Sequence, residues 1–285
     1  MVGVPVVVLV AVLGATALVV EGEAPSEVAP AERREVLLVC DFEKEDWWKD
    51  WGAREQPSNT DLVGPGEKAF QGRSLRVTVK QGSHMGTSFA YKFARQGLPE
   101  PEEIFFRYYI RFDGDWARST GGGKMPGISG TYGRAGWGGR PVNGRDGWSA
   151  RGHFGKTTGS RTPLGFYCYH VDMRGRYGSS WEWRIKDRGV LQHERWYCVE
   201  EYCRLNTPGR RDGVLRAWID GQPAFEKTDI RFRDVPDLKI EQIWFNVYHG
   251  GSWVPEADIH VYFDNVVIAR RPIGPAPPRR GDAGR

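Results

Sequence analysis

The sequence predicts an all-β protein built from two stacked antiparallel sheets, and three observations carry that prediction. Short runs of alternating apolar and polar residues, rich in Val, Ile, Tyr, Phe and Trp, recur along the chain between turn residues. Glycine and proline number 37 and 18 in 285 residues, and 13% of the chain is aromatic, enough to fill the space between two sheets. Long amphipathic helical patterns do not occur, so nothing competes with strands for the core.

The elements follow in order. Residues 1–20, MVGVPVVVLVAVLGATALVV, are apolar throughout. They predict a secretory signal peptide or N-terminal anchor over 1–24, with Gly22 and Ala24 as small residues before a cleavage point, and hence a secreted or cell-surface protein. Residues 25–35, rich in Ala, Pro and Glu, read as a linker. Strands are expected at 36–43, 74–80, 87–94, 103–113, 147–155, 164–173, 195–206, 213–220, 222–227, 239–249 and 258–269, with a short helical stretch near 44–52. Residues 36–270 form one domain without internal repeats. The Pro/Arg-rich segment 271–285 is expected to be disordered.

Four cysteines, Cys40, Cys168, Cys198 and Cys203, would permit disulfides in an exported protein. Cys198 and Cys203 sit on one expected strand, about 16 Å apart, too far to join. A bridge from Cys168 to either, or four free thiols, both fit.

The formal net charge is +4, but the excess is concentrated: residues 107–188 hold 15 Lys and Arg against 6 Asp and Glu. Such a focus draws polyanions, an acidic polysaccharide or a nucleic acid. The secretory leader argues against nucleic acid.

Strand parity then sorts side chains between core and surface, because residues two apart share a face. In 103–113, Phe106, Tyr108, Ile110 and Phe112 point inward, leaving Arg107, Tyr109 and Arg111 outside. In 147–155, Ser149, Arg151 and His153 point outward; in 164–173, Tyr167 and Tyr169; in 239–249, Trp244, Asn246 and Tyr248. Four strands thus offer a cationic, aromatic face on the expected concave sheet, which suits a carbohydrate groove. Lys124, in the glycine-rich stretch GGGKMPGISG, precedes them. Each of these signals alone is ordinary strand or loop composition. Together, a cation beside Tyr hydroxyls suits proton abstraction next to a carboxylate.

Other chemistries are excluded or disfavoured. His170 shares parity with core residues. His153 and His249 are read as facing the groove, but on distant strands they do not make a metal site, and Asp264 and Asn265 read as closing the last strand. Paired glycosidase carboxylates need one strand face, whereas the adjacent Glu200 and Glu201 face opposite ways. No G-x-S-x-G word, zinc spacing or phosphate loop occurs.

With those residues in place, the chain resembles polysaccharide lyase family 14 from about 36 to 269. The resemblance rests on KMPGI at 124–128, GWSAR at 147–151, FYCYH at 166–170, LNTPG at 205–209 running into DGVLRAWIDG at 212–221, and FNVYHGGS at 245–252. It implies a β-jelly-roll, concanavalin A-like sandwich with a concave substrate groove, and β-elimination of a (1→4)-linked polyuronate such as alginate or glucuronan. The family's site pattern falls on Lys124, Ser149, Arg151, Tyr167 and Tyr169. Arg151, helped by Lys124 and the Ser149 hydroxyl, would neutralise the uronate carboxylate. Tyr169 would be base and then acid, its pKa drawn down by adjacent cations, and Tyr167 would position the sugar or share the proton. Arg107, Arg111, His153, Asn246 and Tyr248 would bind substrate in flanking subsites. No metal or other cofactor is implied, and a monomer is expected. The rival reading is a non-catalytic module that binds acidic polysaccharide in the same groove.

Overall fold

The computed structural model describes residues 1, 35–66, 68–251 and 253–277. The expected leader beyond Met1, the linker before Glu35 and residues 278–285 lie outside the described residues. Fifteen strands form two antiparallel sheets. The first contains β1 (Val36–Cys40), β2 (Thr60–Val63), β3 (Ser74–Val79), β5 (Glu103–Phe112), β11 (Tyr197–Arg204), β12 (Gly213–Ile219), β13 (Gln222–Ile230) and β15 (Ile259–Ala269). Its order is β13-β12-β11-β5-β15-β3-β2, and β1 also pairs with β15. The second contains β4 (Met85–Lys92), β6 (Gly123–Gly130), β7 (Trp148–Phe154), β8 (Arg161–Tyr169), β9 (Ser179–Glu182), β10 (Val190–Gln192) and β14 (Gln242–His249). Its order is β10-β8-β7-β6-β14-β4, with β9 beside β8. The expected helical stretch is a single 3₁₀ turn, Trp47–Trp51.

The inward parity sets meet between the sheets. Phe106, Tyr108 and Ile110 of β5 face Ala150, Phe154, Phe166, Ile243, Phe245 and Val247 of the second sheet, all fully buried. Phe245 stacks on Phe89 at 4.6 Å and meets Phe263 of the other sheet edge-on at 4.8 Å. Each such side chain contributes about 1.5–3 kcal/mol by leaving water. The four cysteines are buried and free, and Cys168 and Cys203 sit in this core on opposite sheets.

One strand that positions the site was not legible as a strand. GKMPGISG reads as a loop, yet β6 runs between β7 and β14. Its glycines serve close approach: a Cβ on Gly127 would lie 2.6 Å from Arg151 Cα, and one on Gly123 2.2 Å from the Tyr248 carbonyl. Pro126, which has no N–H for the ladder, falls where the register with β7 shifts between Met125 and Gly127.

The strand 103–113 was expected on the groove sheet, and here the structure corrects the reading. β5 lies in the first sheet, so Arg107 and Arg111 point out of the opposite face. Parity says which side chains leave the core; it does not say which of two sheets a strand joins. On that outer face, residues 271–276, expected to be disordered, run as a strap. Glu200 accepts hydrogen bonds from the amides of Ile273 (2.9 Å) and Gly274 (2.7 Å), and Tyr109 Oη from that of Ala276 (2.9 Å).

Candidate active site

Register brings the expected residues together on the outer face of the second sheet. Ser149 lies opposite Tyr169, and Arg151 opposite Tyr167, between β7 and β8. On the far side of β6, Lys124 lies opposite Tyr248 of β14. Arg151, Tyr167, Tyr169, Lys124, Trp244, Asn246 and Tyr248 line one open cavity of about 400 Å³, closed at its rim by Trp137, Tyr177 and the Gly250–Gly251 turn.

Within it, Lys124 Nζ sits 3.5 Å above the centroid of the Tyr167 ring. The Arg151 guanidinium lies 4.7 Å over Trp244 and donates from Nη1 to Asn246 Oδ1 at 3.2 Å. Asn246 is itself oriented by donating to the Thr87 carbonyl at 3.2 Å. Tyr169 is 1% exposed, and its phenol oxygen accepts the Gly139 N–H at 3.0 Å. The two tyrosine rings meet edge-on at 5.7 Å.

The electrostatics follow from burial without counter-charge. Burial and the nearby Arg151 charge bring Lys124 from 10.5 down to about 7. Burial lowers Arg151 to about 10, against the pull of the Tyr169, Tyr167 and Tyr248 phenols. Among the described residues neither cation has a carboxylate partner. Burial, with Tyr169 beside it, pushes Tyr167 up to about 12. His153 stacks on Tyr167 at 6.1 Å, and burial followed by the Lys124 charge lowers it to about 4, so it is a neutral ring near neutral pH.

Three expected residues fall elsewhere. Arg107 and Arg111 belong to the other sheet, as described above. His249 points into the core, because it shares parity with Phe245 and Val247: it lies against Phe154 and Trp253, with Nε2 2.9 Å from Ser119 Oγ. Ser149 is in the right register but fully buried, its hydroxyl bonded to the Gly136 carbonyl at 2.6 Å. Trp137 and Tyr177 were missed because both come from glycine-rich loops without strand parity; an aromatic residue amid glycines was the available signal.

A larger hollow of about 600 Å³ lies near Glu102, Arg204 and Arg233 on the first sheet's side. Its buried cation is already satisfied, since Arg233 donates to Glu102 at 2.6 Å and to three backbone carbonyls. Among the described residues one grouping has metal-ligating donors, Asp113, Asp115 and His260, within 4.8 Å of one another. Lys68 Nζ already bridges both Asp113 oxygens at 2.7 and 2.6 Å.

Curated protein sequences give no match. Among solved structures, alginate lyase Aly36B bound to an alginate tetrasaccharide is 22% identical, with 84% of this chain and 95% of that one covered at a TM-score of 0.63. The marine PL-14 alginate lyase from Aplysia kurodai is 17% identical, covering 84% and 99% at 0.62. The endo-β-1,4-glucuronan lyase from the fungus Trichoderma reesei is 16% identical, covering 76% and 88% at 0.51. At these identities the likeness shows a shared jelly-roll fold. The family model for polysaccharide lyase 14 matches residues 67–266, a stretch that contains every side chain of the cavity, and the chain accordingly belongs to that family of polysaccharide lyases.

Proposed function

We propose that this lyase cleaves a (1→4)-linked polyuronate, alginate or glucuronan, by β-elimination. The observation that carries the reading is a cavity holding a buried arginine and a half-buried lysine, neither with a carboxylate partner among the described residues, beside two phenols. An anionic sugar supplies what those cations lack. The apolar N-terminal stretch supports an exported enzyme that meets its polymer outside the cell.

The reaction removes the C5 proton beside the carboxylate, forms a C4=C5 double bond and breaks the C4–O4 bond, with O4 gaining a proton. Arg151 pairs with the carboxylate and stabilises the charge that builds on it as the proton leaves. The family resemblance implies Tyr169 as the base. The electrostatics favour a different division: Lys124, at about 7, is available as the neutral amine near neutral pH and takes the C5 proton. Tyr169 then protonates O4, and Tyr167, pushed up to about 12, remains a neutral phenol that positions the sugar.

The test is the pH dependence of kcat/KM, followed by the ultraviolet absorbance of the unsaturated product on polymannuronate, polyguluronate and glucuronan. A base at Lys124 gives a rise with a midpoint near 7 that disappears in Lys124→Met. A rate that keeps climbing toward pH 10 returns the base role to Tyr169. Tyr169→Phe loses about 10²-fold in turnover either way. Polymer binding with no absorbance change in the wild type would overturn the proposal in favour of a binding module.

A further inference from the structure

Ser149 matches the family's site pattern, yet its hydroxyl does not reach the cavity. It is buried and donates to the carbonyl of Gly136 at 2.6 Å. Three residues further on, Gly139 N–H donates to the phenol oxygen of Tyr169 at 3.0 Å. The other side of that glycine is also held, because its carbonyl accepts Arg176 Nε at 3.0 Å from the loop after β8. The segment between closes on itself, with Gly136 N–H donating to the Arg140 carbonyl at 3.1 Å and Arg140 N–H to the Trp137 carbonyl at 2.9 Å. Its backbone is left-handed at Gly136 (φ +95°) and Gly139 (φ +73°), and a Cβ on Gly139 would stand 2.8 Å from Arg176 Nε.

We infer that Ser149 and Arg176 are positioning residues that clamp the 136–140 loop from two sides, so that the Gly139 amide is aimed at Tyr169. A phenol oxygen that accepts this N–H must turn its own O–H elsewhere, toward Tyr167 and the cavity where the sugar lies. The clamp thereby fixes the direction in which Tyr169 delivers its proton. Neither residue touches substrate. Arg176 holds the Gly139 carbonyl from the surface and Ser149 holds the Gly136 carbonyl from the outer face of the sheet that the loop covers, so both act through one short loop. The inference rests on the reading of Tyr169 as proton donor, and it gives Ser149 a task other than neutralising the carboxylate.

The experiment uses Ser149→Ala, Arg176→Ala and the double variant, with the protein labelled at tyrosine Cζ with ¹³C. The Tyr169 resonance is assigned by its loss in Tyr169→Phe. Each single variant should lower kcat about tenfold or more, as expected for a misaimed catalytic group, with KM within about twofold. Each should also shift the Tyr169 resonance, and the double variant should lose less than the product of the two, because both act through the same loop. A rise in KM with kcat preserved in Arg176→Ala would make that arginine a substrate contact and overturn the clamp. A fall in kcat with an unmoved Tyr169 resonance, or losses that multiply in full, would overturn it as well. Should the wild type cut no polyuronate, the proposed function fails, and the resonance shifts still decide whether the clamp exists.

Discussion

Arg107 and Arg151 occupy matching places in the two sheets. Each lies mid-strand, points out of the sandwich and is 6% exposed. Their surroundings differ. Arg107 donates to the carbonyls of Gly274 and Asn265 at 3.1 Å each, beneath a strap whose amides are taken by Glu200. Arg151 has one neutral acceptor, Asn246 Oδ1, and otherwise faces an open cavity beside a second cation. Burying charge is costly unless partners compensate it, and the first site provides them from its own chain. On the proposed function, the second leaves that role to the substrate carboxylate. Neither residue type nor burial separates a structural arginine from a binding one; the missing acceptors do.

The largest effect that tests this contrast is Arg151→Ala. It should reduce kcat/KM on the preferred polyuronate by about 10²–10³-fold, the scale of losing a charge-stabilising donor. Its urea midpoint should stay at or above the wild-type value, because a buried cation without a counter-charge is removed. A drop in stability comparable to the loss of activity would erase the distinction.

The contrast can be sharpened by giving Arg151 the internal partner it lacks. Asn246→Asp places a carboxylate at the oxygen now 3.2 Å from the guanidinium. Michaelis constants should rise about tenfold or more, equivalent to about 1.4 kcal/mol of binding, since the substrate competes with a built-in anion. An unchanged KM would mean that Arg151 does not meet the uronate carboxylate.

Arg107→Ala should give the mirror result. Turnover should stay at the wild-type level while denaturant titration shows a loss of about 1–3 kcal/mol, because two half-buried carbonyls lose their donor. Reduced kcat with intact stability would place the first sheet in the catalytic machinery after all.

The smallest expected effect is a pH dependence of stability from Lys124. Its folded value of about 7 lies below its ordinary 10.5, so between those values the unfolded chain binds more protons than the native one. Stability therefore rises with pH above about 7, and the penalty is fully present below it. Lys124→Met should raise Tm at pH 6 by about 2–4 °C, the response to about 1 kcal/mol at this size. That advantage should shrink by pH 9. A constant difference across the range would count against the shift.

Much of this was legible in the sequence, and the remainder failed for identifiable reasons. The alternation in 147–155, 164–173 and 239–249 placed Arg151, Tyr167, Tyr169, Asn246 and Tyr248 on one face, because each strand has one buried side and period two is strict. The same logic could not assign 103–113 to a sheet, since both sheets of a sandwich have an outer face. It also could not recognise β6, whose glycines answer to backbone crowding around Arg151 and Tyr248 and leave no alternation to read. The short strands β2, β9 and β10, of three or four residues, fall below the length at which period two stands out. The cavity rim, Trp137 and Tyr177, depends on loops placed by local turns and tertiary contacts that leave no periodic pattern.

The strap over the first sheet has a practical consequence. The last described residues, up to Pro277, leave the domain from the face opposite the cavity, pinned there by Glu200 and Tyr109. A tether, tag or fused partner joined at Pro277 would depart from the back of the molecule. The enzyme can therefore be fixed to a bead or displayed on a surface through that end with its groove open to long polymers.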